Sequence, residues 1–128
     1  MLELALSILY LGEGAKRGSA SLGSSDPLIL LFTIKAVENI YGIPKWKIKA
    51  ELHIRQDQNG IDLMKHWSNT LNIPVQNFSF VTDKRPIKSK TYETYKGVCV
   101  LRFGGFAIQR RLVFLSRGFC NKISNTDD

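Results

Sequence analysis

Lys45-Trp46-Lys47-Ile48-Lys49-Ala50-Glu51-Leu52-His53-Ile54-Arg55 is the most regular stretch of this chain. Trp46, Ile48, Ala50, Leu52 and Ile54 fall on one parity, and Lys45, Lys47, Lys49, Glu51, His53 and Arg55 on the other. Period two is the signature of a half-buried strand, so 45–55 reads as a strand with an apolar inner face and a wet outer face. The outer face carries four fixed positive charges, with Glu51 alone opposing them. Lysines two apart project in parallel, roughly 7 Å from one another. Like charges that close repel and cost stability unless an anion offsets them. Two readings follow: a surface for a polyanion, or an edge strand blunted by lysines against aggregation.

Working outward, the spacing predicts these neighbours. Residues 61–71 form an amphipathic helix through Ile61, Met64, Trp67 and Leu71, after a turn at 56–60. Upstream, Asp26-Pro27 starts a helix, since Asp caps free N–H groups and Pro fits the first turn. That helix passes Leu30, Ile34, Val37 and Tyr41 and stops at Gly42. Residues 2–12 read as a short helix, apolar on most sides, and 17–23 as a strand of small residues. Downstream, 78–81 and 98–103 are strands, and 106–117 is a last helix with Gly118 behind it. The expected order is α-β-α-β-α-β-β-α, an α+β fold with a basic antiparallel sheet and helices packed on its other face. One domain is expected over 1–120, followed by a polar tail over 121–128.

The bulk properties agree with a packed domain. The chain has 128 residues, 44% of them hydrophobic. Eighteen Lys and Arg stand against eleven Asp and Glu, a net charge of +7. Such a surplus favours a polyanionic partner. A second basic cluster supports this. Lys84, Arg85, Lys88, Lys90 and Lys96 lie in a loop over 82–96 with Tyr92 and Tyr95 interleaved, a mixture suited to sugar and phosphate. An ordinary solvated loop would also be charged. Lys16 and Arg17 precede the first strand, and Arg110, Arg111 and Arg117 add to the surplus.

Cys99 and Cys120 are far apart and form no C-x-x-C pair, so buried free thiols and a reducing, intracellular setting are expected. His53 and His66 have no ligand spacing with a cysteine or carboxylate, and no zinc is expected. No phosphate-binding glycine loop or nucleophile elbow occurs, so no small-molecule cofactor is expected. The apolar start, interrupted by Glu3, is too short for a membrane span, and no membrane partner is expected.

Glu13 stands between Gly12 and Gly14 at the end of the first helix. It reads as a solvated carboxylate at a helix terminus. A carboxylate there is disfavoured by the helix dipole and would be better placed beside a cation, so a divalent-metal role is the other reading.

The stretch Leu6-Ser7-Ile8-Leu9-Tyr10-Leu11-Gly12-Glu13-Gly14 resembles the LAGLIDADG motif of homing endonucleases. Leu6, Leu9 and Gly14 match directly, and Glu13 replaces the last aspartate. Ile8 stands where the family has glycine, and Leu11 where it has aspartate. Ser19-Ala20-Ser21-Leu22, Ser25-Asp26-Pro27, His53 and Trp67-Ser68 resemble a compact single-motif branch. The resemblance implies a saddle-shaped sheet on duplex DNA and a homodimer with Leu6, Leu9 and Gly12 at its two-fold interface. It implies Mg²⁺ at Glu13 and phosphodiester hydrolysis, with a lysine (Lys47, Lys49 or Lys96) stabilising the transition state. The DNA contacts would come from Lys16, Arg17, Lys45, Lys47, Lys49, His53, Arg55, Lys84, Arg85, Lys88, Lys90 and Lys96. Departures remain: the family's half-domain runs α-β-β-α-β-β-α, without a helix at 61–71. The same fold also serves non-cleaving DNA-binding regulators, and an RNA partner is a third reading.

Overall fold

The computed structural model describes residues 1–125. Helix α1 (Leu2–Glu13) is followed by strand β1 (Ala20–Ser24) and helix α2 (Pro27–Tyr41). A 3₁₀ turn at Lys45–Lys47 leads into β2 (Lys49–Ile54) and α3 (Gly60–Leu71). A second 3₁₀ turn, Val75–Asn77, precedes β3 (Phe78–Thr82); then come β4 (Val98–Gly104) and α4 (Phe106–Ser124). The order is the one expected, and the class is α+β: four helices and one four-stranded sheet.

Local signals behave as their chemistry requires. The Asp26 carboxylate accepts from the Leu28 N–H at 3.0 Å, with Pro27 opening the helix. Gly42 closes α2 at φ 67°, a left-handed conformation that glycine adopts without strain. Asn59 caps α3 by accepting from the Asp62 N–H at 3.1 Å.

Strand order across the sheet is β1-β4-β2-β3. β1–β4 and β4–β2 are antiparallel, but β2–β3 is parallel. The sheet is therefore mixed, where an antiparallel one was expected. The reason is α3: a strand that returns through a helix comes back in the same direction. β2 is also central, bonded to β4 on one side and β3 on the other. That removes the reading of its lysines as edge protection.

Helices cover one sheet face. Ala50, Leu52 and Ile54 of β2, Cys99, Leu101 and Phe103 of β4, and Leu22 of β1 are buried against Leu6, Tyr10, Leu30, Ile34, Val37, Trp67 and Leu112. α1 packs chiefly on α4. Glu3 fixes this corner by accepting from Arg111 Nε at 2.6 Å and from the Tyr41 hydroxyl at 2.8 Å. The arginine beside it lowers the Glu3 pKa, and burial raises that of Tyr41.

Several boundaries differ from expectation. The strand placed over 45–55 begins only at Lys49. Trp46, placed on its inner face, is 69% exposed, whereas Ile48 is 1% exposed. The Asn77 amide donates to the Trp46 and Ile48 carbonyls at 2.9 and 3.0 Å, taking acceptors a ladder would have used. β1 begins at Ala20 rather than at 17. α4 continues through Gly118 to Ser124 because half-buried Phe119 and Cys120 hold the next turn. A helical glycine costs only about 1 kcal/mol, which such packing can offset. The tail expected over 121–128 is thus partly helix, and its last residues, 126–128, lie outside the described residues.

Cys99 is buried and Cys120 half-buried, and both are free. Burial pushes the Cys99 thiol up to about 12. Among the described residues no helix is long and apolar enough to cross a membrane.

Candidate nucleic-acid interface

The face of the sheet that carries no helix is built by strand alternation alone. β2 contributes Lys49, Glu51 and His53; β4 contributes Val98, Val100 and Arg102; β1 contributes Ser21 and Gly23; β3 contributes Ser79 and Val81. No Phe, Tyr or Trp occupies these positions. Register makes Lys49 and Arg102 direct antiparallel partners, with Ser21 on the far side of Arg102. Neither cation has a carboxylate partner among the described residues. Glu51 instead pairs with His53, at 2.9 Å. Opposed like charges destabilise a sheet, and a bound anion would offset this.

A groove of about 410 Å³ runs over the Lys49–Arg102 pair. Ser19, Ser21, Ser79, Gln76 and Asn77 supply hydroxyl and amide groups along it, and Glu51 is its one carboxylate. Lys47 extends the positive end, since a second groove is shared by Ser19, Lys47, Lys49 and Arg102. At the opposite end of the sheet His53, Arg55, Arg85 and Tyr95 line a further groove. There Arg85 is paired with Asp83 at 2.6 Å, and the guanidinium holds that carboxyl down to about 2. The surface can therefore receive a run of phosphates, strongly at the Lys49–Arg102 end and more weakly at the other.

The basic loop is tied down. Its backbone receives four side-chain bonds from the turn after β2 and from α3. Asp57 accepts from the Thr91 N–H and hydroxyl at 2.8 and 2.6 Å, and Gln58 donates to the Tyr95 carbonyl at 2.8 Å. The Trp67 indole donates to the Lys96 carbonyl at 2.8 Å, and Gln56 to that of Lys84 at 2.9 Å. Lys84, Lys88 and Lys90 stand exposed on this frame.

The expected site residues divide into separate places. Lys47, Lys49, His53 and Arg55 do lie on or beside the open face, though Lys47 comes from the turn rather than the strand. Lys45 is half-buried in that turn. Lys16 is committed elsewhere: its ammonium donates to the carbonyls of Tyr10 (3.0 Å), Leu11 and Gly14 (3.1 Å). It thus supplies the cation that the C-terminus of α1 favours. Arg17 faces α4.

Glu13, Lys49 and Lys96 are not brought into one groove. Lys49 lines the sheet groove, Lys96 a groove with Asp57, Asp62 and Glu93, and Glu13 neither. Among the described residues no three His, Cys, Asp or Glu side chains converge to hold a metal. Of the expected dimer contacts, Leu6 is 0% exposed and spent in the chain's own core. Leu9 packs at the core's margin, and Gly12 has open space around it. Gly14 is required locally, since a Cβ there would meet the Tyr10 ring at 2.4 Å. His66 is exposed, with its ring edge-on to Trp67.

Arg102 is the residue the sequence reading missed. Its signal was available: in Val98-Cys99-Val100-Leu101-Arg102-Phe103 it shares parity with Val98 and Val100, away from buried Cys99, Leu101 and Phe103. What was not legible was its partner, because strand register brings Arg102 opposite Lys49 across more than fifty residues of chain. Comparison of the chain with family models, with curated proteins and with solved structures finds no match.

Proposed function

We propose that this protein binds duplex DNA through the open face of its sheet. The observation that carries this reading is the Lys49–Arg102 pair: two cations opposed on adjacent strands, without a carboxylate partner, in a groove lined by hydroxyls and amides. The absence of aromatic rings from the strand positions of this face favours a paired over an unpaired strand, since single strands are held largely by stacking. Phosphate contacts supply most of the affinity of such a surface, and that affinity must fall with salt.

The test is the salt dependence of binding to a blunt duplex. Each lost phosphate contact lowers the slope of log K against log[salt] by about 0.9, so Lys49→Ala with Arg102→Ala should lower it by about 1.8. An unchanged slope and affinity in that double variant would sink the assignment. Tighter binding to matched duplex RNA in competition would move the reading to RNA. Cleavage is a separate matter: Glu13 is exposed at the end of α1 but lines neither the groove of Lys49 nor that of Lys96. Plasmid nicking in Mg²⁺, lost on Glu13→Gln with binding retained, is the result that would add it.

A further inference from the structure

α4 carries an unusual surface. Phe106 is 62% exposed and Phe114 75% exposed. Arg110 lies midway between them, and spacing of four residues puts all three on one helix face. The Arg110 guanidinium sits over the Phe106 ring, 5.9 Å from its centroid. These side chains form one wall of a groove of about 420 Å³ whose other wall is the 16–18 turn, with Arg17. No carboxylate lines it, and neither Arg17 nor Arg110 has an acidic partner among the described residues. Two large apolar rings left in water beside two unpaired cations mark a binding surface.

Its position limits the occupant. Gly18 in this groove adjoins Ser19, which lines the groove over Lys49 and Arg102. Phe106 follows two residues after Gly104, which lines the neighbouring groove with Lys49 and Arg102. The helix groove thus continues the sheet surface around the end of β4. The outward strand positions of the sheet have cations and no rings; the helix groove has cations and exposed rings. That is the division between a surface for paired backbone and one for unpaired bases, each of which presents a face to stack. Phe106 and Phe114 are about 12 Å apart along the helix, room for two or so extended nucleotides.

We infer that the α4 groove binds a short single-stranded segment flanking the duplex, so that the preferred ligand is a duplex with an unpaired tail. The inference rests on the duplex reading of the sheet. Arg17 and Arg110 take phosphates, and Phe106 and Phe114 take bases.

The experiment compares a blunt duplex with the same duplex carrying a short oligo-thymidine tail, by fluorescence anisotropy. The tailed ligand should bind about tenfold tighter, the gain of one stacked base. Phe106→Ala with Phe114→Ala should abolish that gain and leave blunt-duplex affinity and the melting curve unchanged, because both rings are exposed. Arg110→Glu, a second variant that spares both rings, should do the same. Equal affinity for the two ligands, or a gain that survives both variants, overturns the inference alone. Binding to neither ligand overturns it together with the sheet reading. Preference of this face for an acidic, phenylalanine-containing peptide over the tail also overturns it.

Discussion

Lys49 and Arg102 face each other on a central pair of strands without a carboxylate paired to either, whereas the basic loop between β3 and β4 is held by Asp57, Gln58, Gln56 and Trp67 and pairs Arg85 with Asp83. The first region keeps its cations in an arrangement that costs stability. The second settles its backbone with bonds that stabilise it. Where charge is left in conflict on a rigid frame, a ligand explains it better than folding does. Where charge stands on a satisfied loop, position is fixed but a role is not implied.

Three measurements bear on this contrast. The largest effect is expected from Trp67→Ala. Trp67 is 1% exposed and its indole anchors the loop at Lys96, so urea unfolding should show a loss of about 3–5 kcal/mol. Trp67→Phe keeps most of the packing and should cost about 1–3 kcal/mol, the penalty for leaving the Lys96 carbonyl unsatisfied. A Phe variant as stable as the parent would mean that the indole bond does not hold the loop.

The second effect has the opposite sign. Arg102→Thr removes the like-charge pair and should stabilise the fold by about 0.2–1 kcal/mol while weakening duplex binding. Thr also suits a strand. Destabilisation by Arg102→Thr would show that the guanidinium contributes packing and that the sheet charges are not in conflict.

The smallest effect concerns pH. Hydrogen bonds from the Thr91 hydroxyl and N–H hold the Asp57 carboxyl below its ordinary value. The unfolded chain then binds the proton at higher pH than the folded one, so this contribution is complete above the ordinary carboxylate range of about 4. It declines as pH falls through that range toward the lower folded value. Protection of the Thr91 amide from exchange, corrected for intrinsic rate, should decrease over the same window. Asp57→Asn should flatten that dependence; a variant with the parent's profile would place the titration elsewhere.

Much of the fold was legible in the chain. The helix start at Asp26-Pro27, the stop at Gly42, and the alternation over 48–54 each encode a local preference that the tertiary structure did not oppose. The reading faltered where a local pattern met a competing partner. Lys45-Trp46-Lys47 continues the alternation, yet Asn77 takes the Trp46 and Ile48 carbonyls and the turn forms instead. Gly118 has the look of a stop, yet the packing of Phe119 and Cys120 carries α4 past it. The same limit applied to the site. Lys16 counted as a free cation until the carbonyls ending α1 claimed it, and Leu6 as an interface residue until the core did.

By itself the sequence determined the number, type and order of the elements, the surplus of +7, and which face of β2 is wet, because these follow from composition and from interactions within a few residues. Only the tertiary structure decided that β2 is central rather than an edge, that β3 lies parallel to it, and that Lys49 meets Arg102. Those facts depend on register between strands distant in the chain, which side-chain periodicity leaves free until the helices choose which face to cover.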